Sequence, residues 1–390
     1  MADTHTSSPR PASAPTPGPG PRSVLLAGGG SAGHVSPLLA LADTLRARWP
    51  DLGVTALGTA SGLEARLVPQ RGYELRVIPR VPMPRRPSVQ ALRFPGSLAA
   101  AVRAAGEAID AVGAEVVVGF GGYVSSPAYL AARRRRIPIV VHEQNARPGF
   151  ANRLGARLTP YVATTFASTS LPHATVVGMP LRPEITSLDR AALRDEARAF
   201  FDLTAHAPTV LVTGGSLGAK RLNDAFEAAA DRCAQAGVQV LHATGAGKGF
   251  MPPAPVDGAA PYVVREYLDR MDLAFAAADL VVARAGANTV CELNAVGLPA
   301  IYVPLPIGNG EQRFNVADVV AAGGGLVVDD ADVTADWVAS TVLPLALDPQ
   351  RLAAMGSAAR SVGHLDAADQ LADLVVDAWR SRHTPGAGEP

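Results

Sequence analysis

The chain is expected to fold as an α/β protein of two Rossmann-like halves, each with a mostly parallel sheet, facing each other across a cleft. Three observations predict this. Short apolar runs of strand length alternate with longer stretches of helical spacing, a pattern that implies right-handed crossovers and parallel strands. A strand, a glycine loop and a helix follow one another at 23–48, and the same unit recurs in kind at 209–236. Between them lies Gly178-Met179-Pro180-Leu181-Arg182-Pro183, whose prolines suit a fixed linker.

Composition bounds the rest. The chain has 390 residues and is 48% hydrophobic, enough for two domains with cores of their own. Formal net charge is zero, so no global field draws it to nucleic acid. Cys233 and Cys291 fall in helix-like stretches and read as reduced, buried thiols of a cytoplasmic protein. The N-terminal segment lacks the apolar core of a signal peptide, and no run is long enough to span a bilayer. Contact with a membrane, if made, is made from its surface.

Taken in order, residues 1–22 are rich in Pro, Ser, Thr and Ala without apolar period, and read as a disordered tail. The first domain is expected over 23–180. Its strands are predicted at 23–27, 54–58, 74–78, 114–118, 137–141, 161–164 and 175–177, with helices at 35–48, 62–70, 96–112 and 128–135 between them. The stretch 81–94 departs from this pattern. It mixes Pro82, Pro84 and Pro87 with Arg85, Arg86 and Arg93, and with Val81, Met83, Leu92 and Phe94. The second domain is expected over 181–364, with strands at 209–212, 238–241, 262–264, 280–283 and 300–303 and a helix at 220–236. A last helix, within 365–382, is expected to return to the first domain, and 383–390 to be a second disordered tail.

Chemistry is expected where strands run into loops, since open α/β sheets bind ligands at their C-terminal edges. Three glycine loops begin at Gly28, Gly119 and Gly214. Gly28-x-Gly30-x-x-Gly33 matches the dinucleotide fingerprint in form. That fingerprint also needs an acid closing the second strand, and Leu57-Gly58-Thr59-Ala60 supplies none, so a nicotinamide cofactor is not expected. His34 stands where the first loop meets its helix. A helix N-terminus disfavours the imidazolium and keeps the neutral form that a general base needs. His142-Glu143-Gln144-Asn145 ends a strand, and alternation places His142 and Gln144 on one side, Glu143 and Asn145 on the other. No second His or Cys stands at zinc-ligand spacing. Glu292, two turns into a helix, has the two acceptor oxygens that clasp a ribose diol. Gln312 and Asn315 are placed to bond a sugar or cap a helix. Arg93 with Leu92, Phe94 and Leu98 forms an apolar and basic stretch suited to a membrane surface, with Arg133 to Arg136 as a further basic run.

Seven motifs stand in one order: Gly28-Gly29-Gly30-Ser31-Ala32-Gly33-His34, Gly119-Phe120-Gly121-Gly122-Tyr123-Val124-Ser125, His142 to Asn145, Gly178 to Arg182, Gly214-Gly215-Ser216-Leu217-Gly218-Ala219, Arg284 to Glu292, and Gly310 to Asn315. Together they resemble the MurG family (glycosyltransferase family 28, GT-B fold), over about 23–380. These bacterial enzymes carry N-acetylglucosamine from its UDP ester to the lipid-linked peptidoglycan precursor. The resemblance implies an inverting, metal-independent and cofactor-free transferase that converts lipid I to lipid II through a β-1,4 link. It implies Arg182 and Ser216 near the diphosphate, Leu268, Ala287, Asn288 and Thr289 near uracil and phosphate, Glu292 on the ribose and Gln312 on the sugar. Ser31, Ala32, Gly33 and Asn145 would reach that sugar from the first domain. Gly28, Gly29, Gly30, Gly121, Gly122 and Tyr123 would take the acceptor's pyrophosphate, with His34 as candidate base and Glu143 as a further catalytic candidate. The family works at the cytoplasmic membrane face, so Leu92, Arg93, Phe94 and Leu98 would meet lipid, and cell-wall or division proteins are the partners to expect. Ala32 stands where the family often has glycine, and Glu311-Gln312 where it often has two glutamines.

Two rivals use the same loops. Another GT-B sugar-nucleotide enzyme, such as a glycolipid transferase or an epimerase, would share the UDP site and differ in acceptor. A non-catalytic nucleotide-binding envelope protein would have no use for His34.

Overall fold

A computed structural model of the chain describes residues 18–81, 89–215, 217–252, 258–307 and 310–383, with the backbone alone for 89–93. The first sheet contains β1 (Ser23–Ala27), β2 (Gly53–Gly58), β3 (Glu74–Val77), β4 (Val116–Gly119), β5 (Ile139–Glu143), β6 (Tyr161–Thr164) and β7 (Ala174–Val176). They pair in parallel in the order β3-β2-β1-β4-β5-β6-β7. The second contains β8 (Thr209–Thr213), β9 (Gln239–Ala243), β10 (Tyr262–Arg265), β11 (Leu280–Ala283), β12 (Ala300–Tyr302) and β13 (Gly325–Val327), parallel in the order β10-β9-β8-β11-β12-β13.

The sequence explains both sheets. β1, β4, β5, β8 and β11 are near-continuous Val, Leu and Ala runs and are buried along their whole length, as sheets covered by helices on both faces require. Alternation divides them between two cores. Val24 and Leu26 enter one core with Leu38 and Leu41, while Leu25 and Ala27 enter the other with Val102 and Ile109. Each sheet changes winding direction once, between β1 and β4 and between β8 and β11. These are the topological switch points, where the crevice for a ligand opens.

The last helix, Ala367–His383, packs on the first half. Leu371, Ala372, Val375 and Ala378 enter its core, and Arg48 reaches Asp369 at 2.8 Å and Asp373 at 2.5 Å. Two helix expectations need correcting. The helix predicted from 96 runs Val89–Val112 and carries Pro95 within it. Burial of Ala101, Val102, Ala105 and Ile109 outweighs the backbone bond that proline forgoes. The helix predicted at 220–236 is two, Lys220–Ala228 and Ala230–Gln235, meeting at Ala229.

Candidate active site

At the first switch point, the loop after β1 enters the helix Ala32–Arg48 with Ser31 as its N-cap. The loop after β4 packs directly on it. Gly122 has φ of +78°, and a Cβ there would lie 2.6 Å from the Gly29 carbonyl oxygen, so only glycine permits this approach. Ser125 Oγ accepts from Gly121 N at 2.9 Å and lies within donating distance of the Ala27 and Gly121 carbonyls, which fixes that loop.

Between these loops stands His34. Its Nδ1 lies 3.0 Å from Ser31 Oγ, and a Cβ on Gly121 would lie 3.2 Å from its Nε2. Burial holds the imidazole below its ordinary 6.5, against the opposing pull of the Gly29 backbone and the Glu64 charge. The ring is thus kept neutral, and burial is the leading reason rather than the helix N-terminus expected above.

Glu64 is the functional neighbour that sequence reasoning missed. It is fully buried. One carboxylate oxygen accepts from Gly30 N at 2.9 Å; the other accepts from Thr59 N at 2.9 Å and Thr59 Oγ1 at 2.8 Å. Burial pushes this carboxyl up, but the hydrogen bonds from Gly30, its own amide and Thr59 outweigh it and leave it below the usual carboxylate range. Its room comes from glycine: a Cβ at Gly29, Gly58 or Gly62 would come within 2.1–2.4 Å of its side chain. The Gly30 amide, expected to meet an anion, is therefore already bonded to the protein's own carboxylate.

A cavity of about 390 Å³ opens beside His34. Gly121, Gly122 and Tyr123 line it, whereas Gly28, Gly29 and Gly30 do not. Val81, Phe94, Leu98 and Leu130 are among its apolar lining, and Glu143, Asn145 and Arg147 among its polar lining. Glu143 is 2% exposed and uses both oxygens internally, accepting from Asn145 N and Gly149 N at 2.9 Å and Asn152 Nδ2 at 3.0 Å. Burial raises its pKa, with those bonds opposing. It shapes the 144–149 loop. His142 and Gln144 lie on the other side, as alternation requires. His142 Nε2 bonds the Gly178 carbonyl at 2.9 Å and its Nδ1 meets Gln144 at 2.9 Å, while burial lowers it to about 4.

A second cavity, of about 670 Å³, lies between the halves. Ser31, Ala32 and Gly33 enter it from the first half; Leu268, Ala287, Asn288, Thr289, Glu292 and Gln312 enter from the second. The helix Ala287–Val296 begins there at Gly286, presenting free N–H groups. Asn288 Nδ2 donates to the Ala32 carbonyl at 3.2 Å across the cleft, and its buried Oδ1 has no protein partner. Glu292 faces Arg182 at 3.6 Å; burial raises the acid's pKa and the arginine opposes this.

Several expected residues lie elsewhere or do something else. Arg182 stands against Glu292 and does not line the donor-side cavity. Gln312 lines it, but its Oε1 accepts from Leu305 N at 2.9 Å. Asn315 lines neither of these two cavities. It is 1% exposed and accepts from Ala146 N at 2.9 Å, tying the halves together. Ser216 and the side chains of Leu92 and Arg93 lie outside the described residues; Phe94 and Leu98 line the first cavity rather than a bare surface. Among the described residues no group of three or more His, Cys, Asp or Glu is placed to hold a metal ion.

Known proteins match the chain along most of its length. The N-terminal domain of glycosyltransferase family 28 matches residues 24–164, and its C-terminal domain matches residues 209–371. The chain is 59% identical over 355 residues to a protein of a Nocardioides species, covering 91% of this chain and 97% of that one. It is 58% identical over 351 residues to one of Leifsonia xyli, covering 90% and 97%. Both relatives are named UDP-N-acetylglucosamine–N-acetylmuramyl-(pentapeptide) pyrophosphoryl-undecaprenol N-acetylglucosamine transferase. Crystalline MurG of Acinetobacter baumannii superposes with a TM-score of 0.73 at 28% identity, covering 91% of this chain and 99% of that one. The chain belongs to glycosyltransferase family 28.

Proposed function

We propose that this glycosyltransferase moves N-acetylglucosamine from UDP-N-acetylglucosamine to the 4-hydroxyl of the N-acetylmuramyl residue of lipid I, giving lipid II. One observation carries the reading beyond the relatives' names. Consecutive residues open onto two cavities: Ser31, Ala32 and Gly33 line the larger, and His34 lines the apolar-walled one. A donor in the first and an acceptor in the second meet at His34.

The mechanism follows. The donor sugar is α-linked to UDP, so one in-line attack by the acceptor hydroxyl yields the β-1,4 link. With Nδ1–H donating to Ser31 Oγ, Nε2 is left to take the hydroxyl proton. Such base assistance is typically worth about 100- to 10,000-fold. The leaving diphosphate gains charge as the bond breaks. The free N–H groups of the helix starts at Ala32 and Ala287 meet that charge without reorganising. Glu292, with Arg182 behind it, accepts from the ribose diol. On the acceptor side, Gly121, Gly122 and Tyr123 face the pyrophosphate, and Val81, Phe94, Leu98 and Leu130 face the first part of the lipid.

This acceptor requires a membrane, and the protein meets its cytoplasmic face as a peripheral protein. Among the described residues no helix is long and apolar enough to cross a bilayer. Support comes from the apolar lining and from Phe150, a 58% exposed aromatic at the same cavity. Cell-wall and division proteins at that face are the expected partners.

The decisive assay supplies labelled UDP-N-acetylglucosamine with lipid I or a short-chain analogue. Label is expected in the lipid as a β-1,4-linked disaccharide, and only with acceptor present. Sugar-nucleotide turnover without acceptor would indicate an epimerase, and label on another glycolipid would change the acceptor.

A further inference from the structure

Beside the acceptor cavity lies a cleft of about 510 Å³ whose polar lining is Arg147, Arg153, Arg157, Ser168 and Ser170. Among the described residues no carboxylate lines it. Among the described residues neither Arg153 nor Arg157 has a carboxylate partner, and both are exposed, Arg153 in the helix Phe150–Gly155 and Arg157 just beyond it. The cleft and the acceptor cavity share Arg147, so one opens beside the other. Arg147 lies 3.9 Å over the ring of Phe314, which belongs to the helix Glu311–Asn315 of the second half. The inner end of the cleft is therefore at the seam between the halves. Arg153 and Arg157 bring like charge to one cleft, like charges repel one another, and an anion relieves that repulsion.

The shape of the acceptor says which of its parts arrives here. On a pyranose ring the 3-position adjoins the 4-position, and the 1-position lies across the ring. With the 4-hydroxyl at His34, the pyrophosphate on C1 leads away along the wall of Phe94, Leu98 and Leu130. The substituent on C3 leaves next to the reacting hydroxyl, beside the seam. In an N-acetylmuramyl peptide that substituent is a lactyl group joined to the peptide N-terminus, so the peptide ends in a free carboxylate.

We propose that the cleft carrying Arg153 and Arg157 is a subsite for the acceptor's peptide and takes its carboxylates, the C-terminal one above all. The proposal rests on the acceptor reading given above. Arginine suits the task because its planar fork binds a carboxylate through two parallel N–H groups. The contact lies at an exposed rim, so it acts on acceptor capture and weakens with salt, and leaves the chemical step alone.

The test uses the full chain with Arg153→Glu/Arg157→Glu and Arg153→Gln/Arg157→Gln double variants. Both positions are exposed, and unchanged melting verifies the fold. Transfer is measured to a detergent-soluble, short-chain muramyl-pentapeptide acceptor and to the same acceptor with its peptide carboxylates amidated. The Glu pair is expected to lower kcat/KM for the free-acid acceptor by about 5-fold or more, and the Gln pair by less, as exposed charge pairs allow. Transfer to the amidated acceptor and the KM for UDP-N-acetylglucosamine should not move. Equal losses on both acceptors overturn the subsite and assign the arginines to a general field. A loss seen only with anionic vesicles overturns it in favour of lipid headgroups. No loss overturns it outright. Wild-type protein that transfers to neither acceptor removes the acceptor reading itself, whereas an active wild type with indifferent variants removes only the subsite.

Discussion

The two switch points are built from the same parts and differ in where they keep their carboxylates. At β1/β4, Glu64 lies inside the glycine loop, bonded to Gly30 and Thr59, and no arginine pairs with it among the described residues. At β8/β11, no carboxylate bonds the 214–219 backbone among the described residues; Gly215 N donates to Thr213 Oγ1 at 3.2 Å instead. The acids nearby carry arginines, Glu292 with Arg182 and Asp330 with Arg284. A strand-loop-helix unit has free N–H groups and favours anions. Filling it with an internal carboxylate removes one of those groups and leaves a rigid platform for a neutral imidazole. Leaving it open preserves a site for a diphosphate. On the proposed mechanism the same backbone would serve chiefly as a base mount in one half and as an anion site in the other.

The largest effect that sharpens this comparison is at His34. His34→Ala should lower kcat by about 100- to 10,000-fold, read by steady-state transfer to a short-chain acceptor. Unchanged kcat would place the base elsewhere. Glu64→Ala comes next. It strands the buried Thr59 donors and leaves the part-buried Gly30 amide without its acceptor, at a cost of about 1–3 kcal/mol. The melting temperature should fall by several degrees, and the acceptor KM should rise as the loop loosens, while UDP affinity stays. A stable variant with normal acceptor KM would make Glu64 a bystander.

The pH dependence follows from burial. His34 must be neutral to act and its pKa lies below 6.5, so the acid limb of kcat/KM should fall below pH 6.5. Stability has its own window. His142 and His242 are lowered in the fold to about 4 and about 3, chiefly by burial. The unfolded chain takes up their protons near 6.5 and the folded chain does not. Their contribution is present above pH 6.5 and is lost as pH falls from there toward 4. Thermal melts between pH 7 and 4 should show this decline, and a flat profile would contradict the buried, neutral assignment. The smallest effect is expected from chelation: removing divalent metal should leave turnover unchanged, since in the proposed mechanism the helix starts meet the leaving group. Loss of activity in chelator, restored by metal, would overturn that.

Much of this was legible in the sequence, and for a physical reason. Strand alternation is local, so the buried runs, the glycine loops and the opposite facing of His142 and Glu143 could be read residue by residue. His34 could be found because it adjoins a loop with a recognisable form. Glu64 could not. Its role depends on Gly29, Gly58 and Gly62 converging from three segments, and a lone acid opening a short helix carries no sign of that. Its only local signal is the pair of glycines at 58 and 62 just ahead of it. The partners of Asn315 and Arg182, Ala146 and Glu292, were not legible for the same reason, because tertiary packing brings them together. The helix Val89–Val112 begins before the expected Gly96 and runs through Pro95, because burial of its later turns decides what a local proline does not.

The division of labour between the two loops is most directly tested by calorimetric titration of UDP into wild type, His34→Ala and Glu292→Ala. His34→Ala should bind UDP as wild type does, and Glu292→Ala should lose about 10-fold or more, the worth of a hydrogen bond to a charged group. The reverse pattern, with affinity lost at His34 and kept at Glu292, would put the nucleotide at the first switch point and contradict the account.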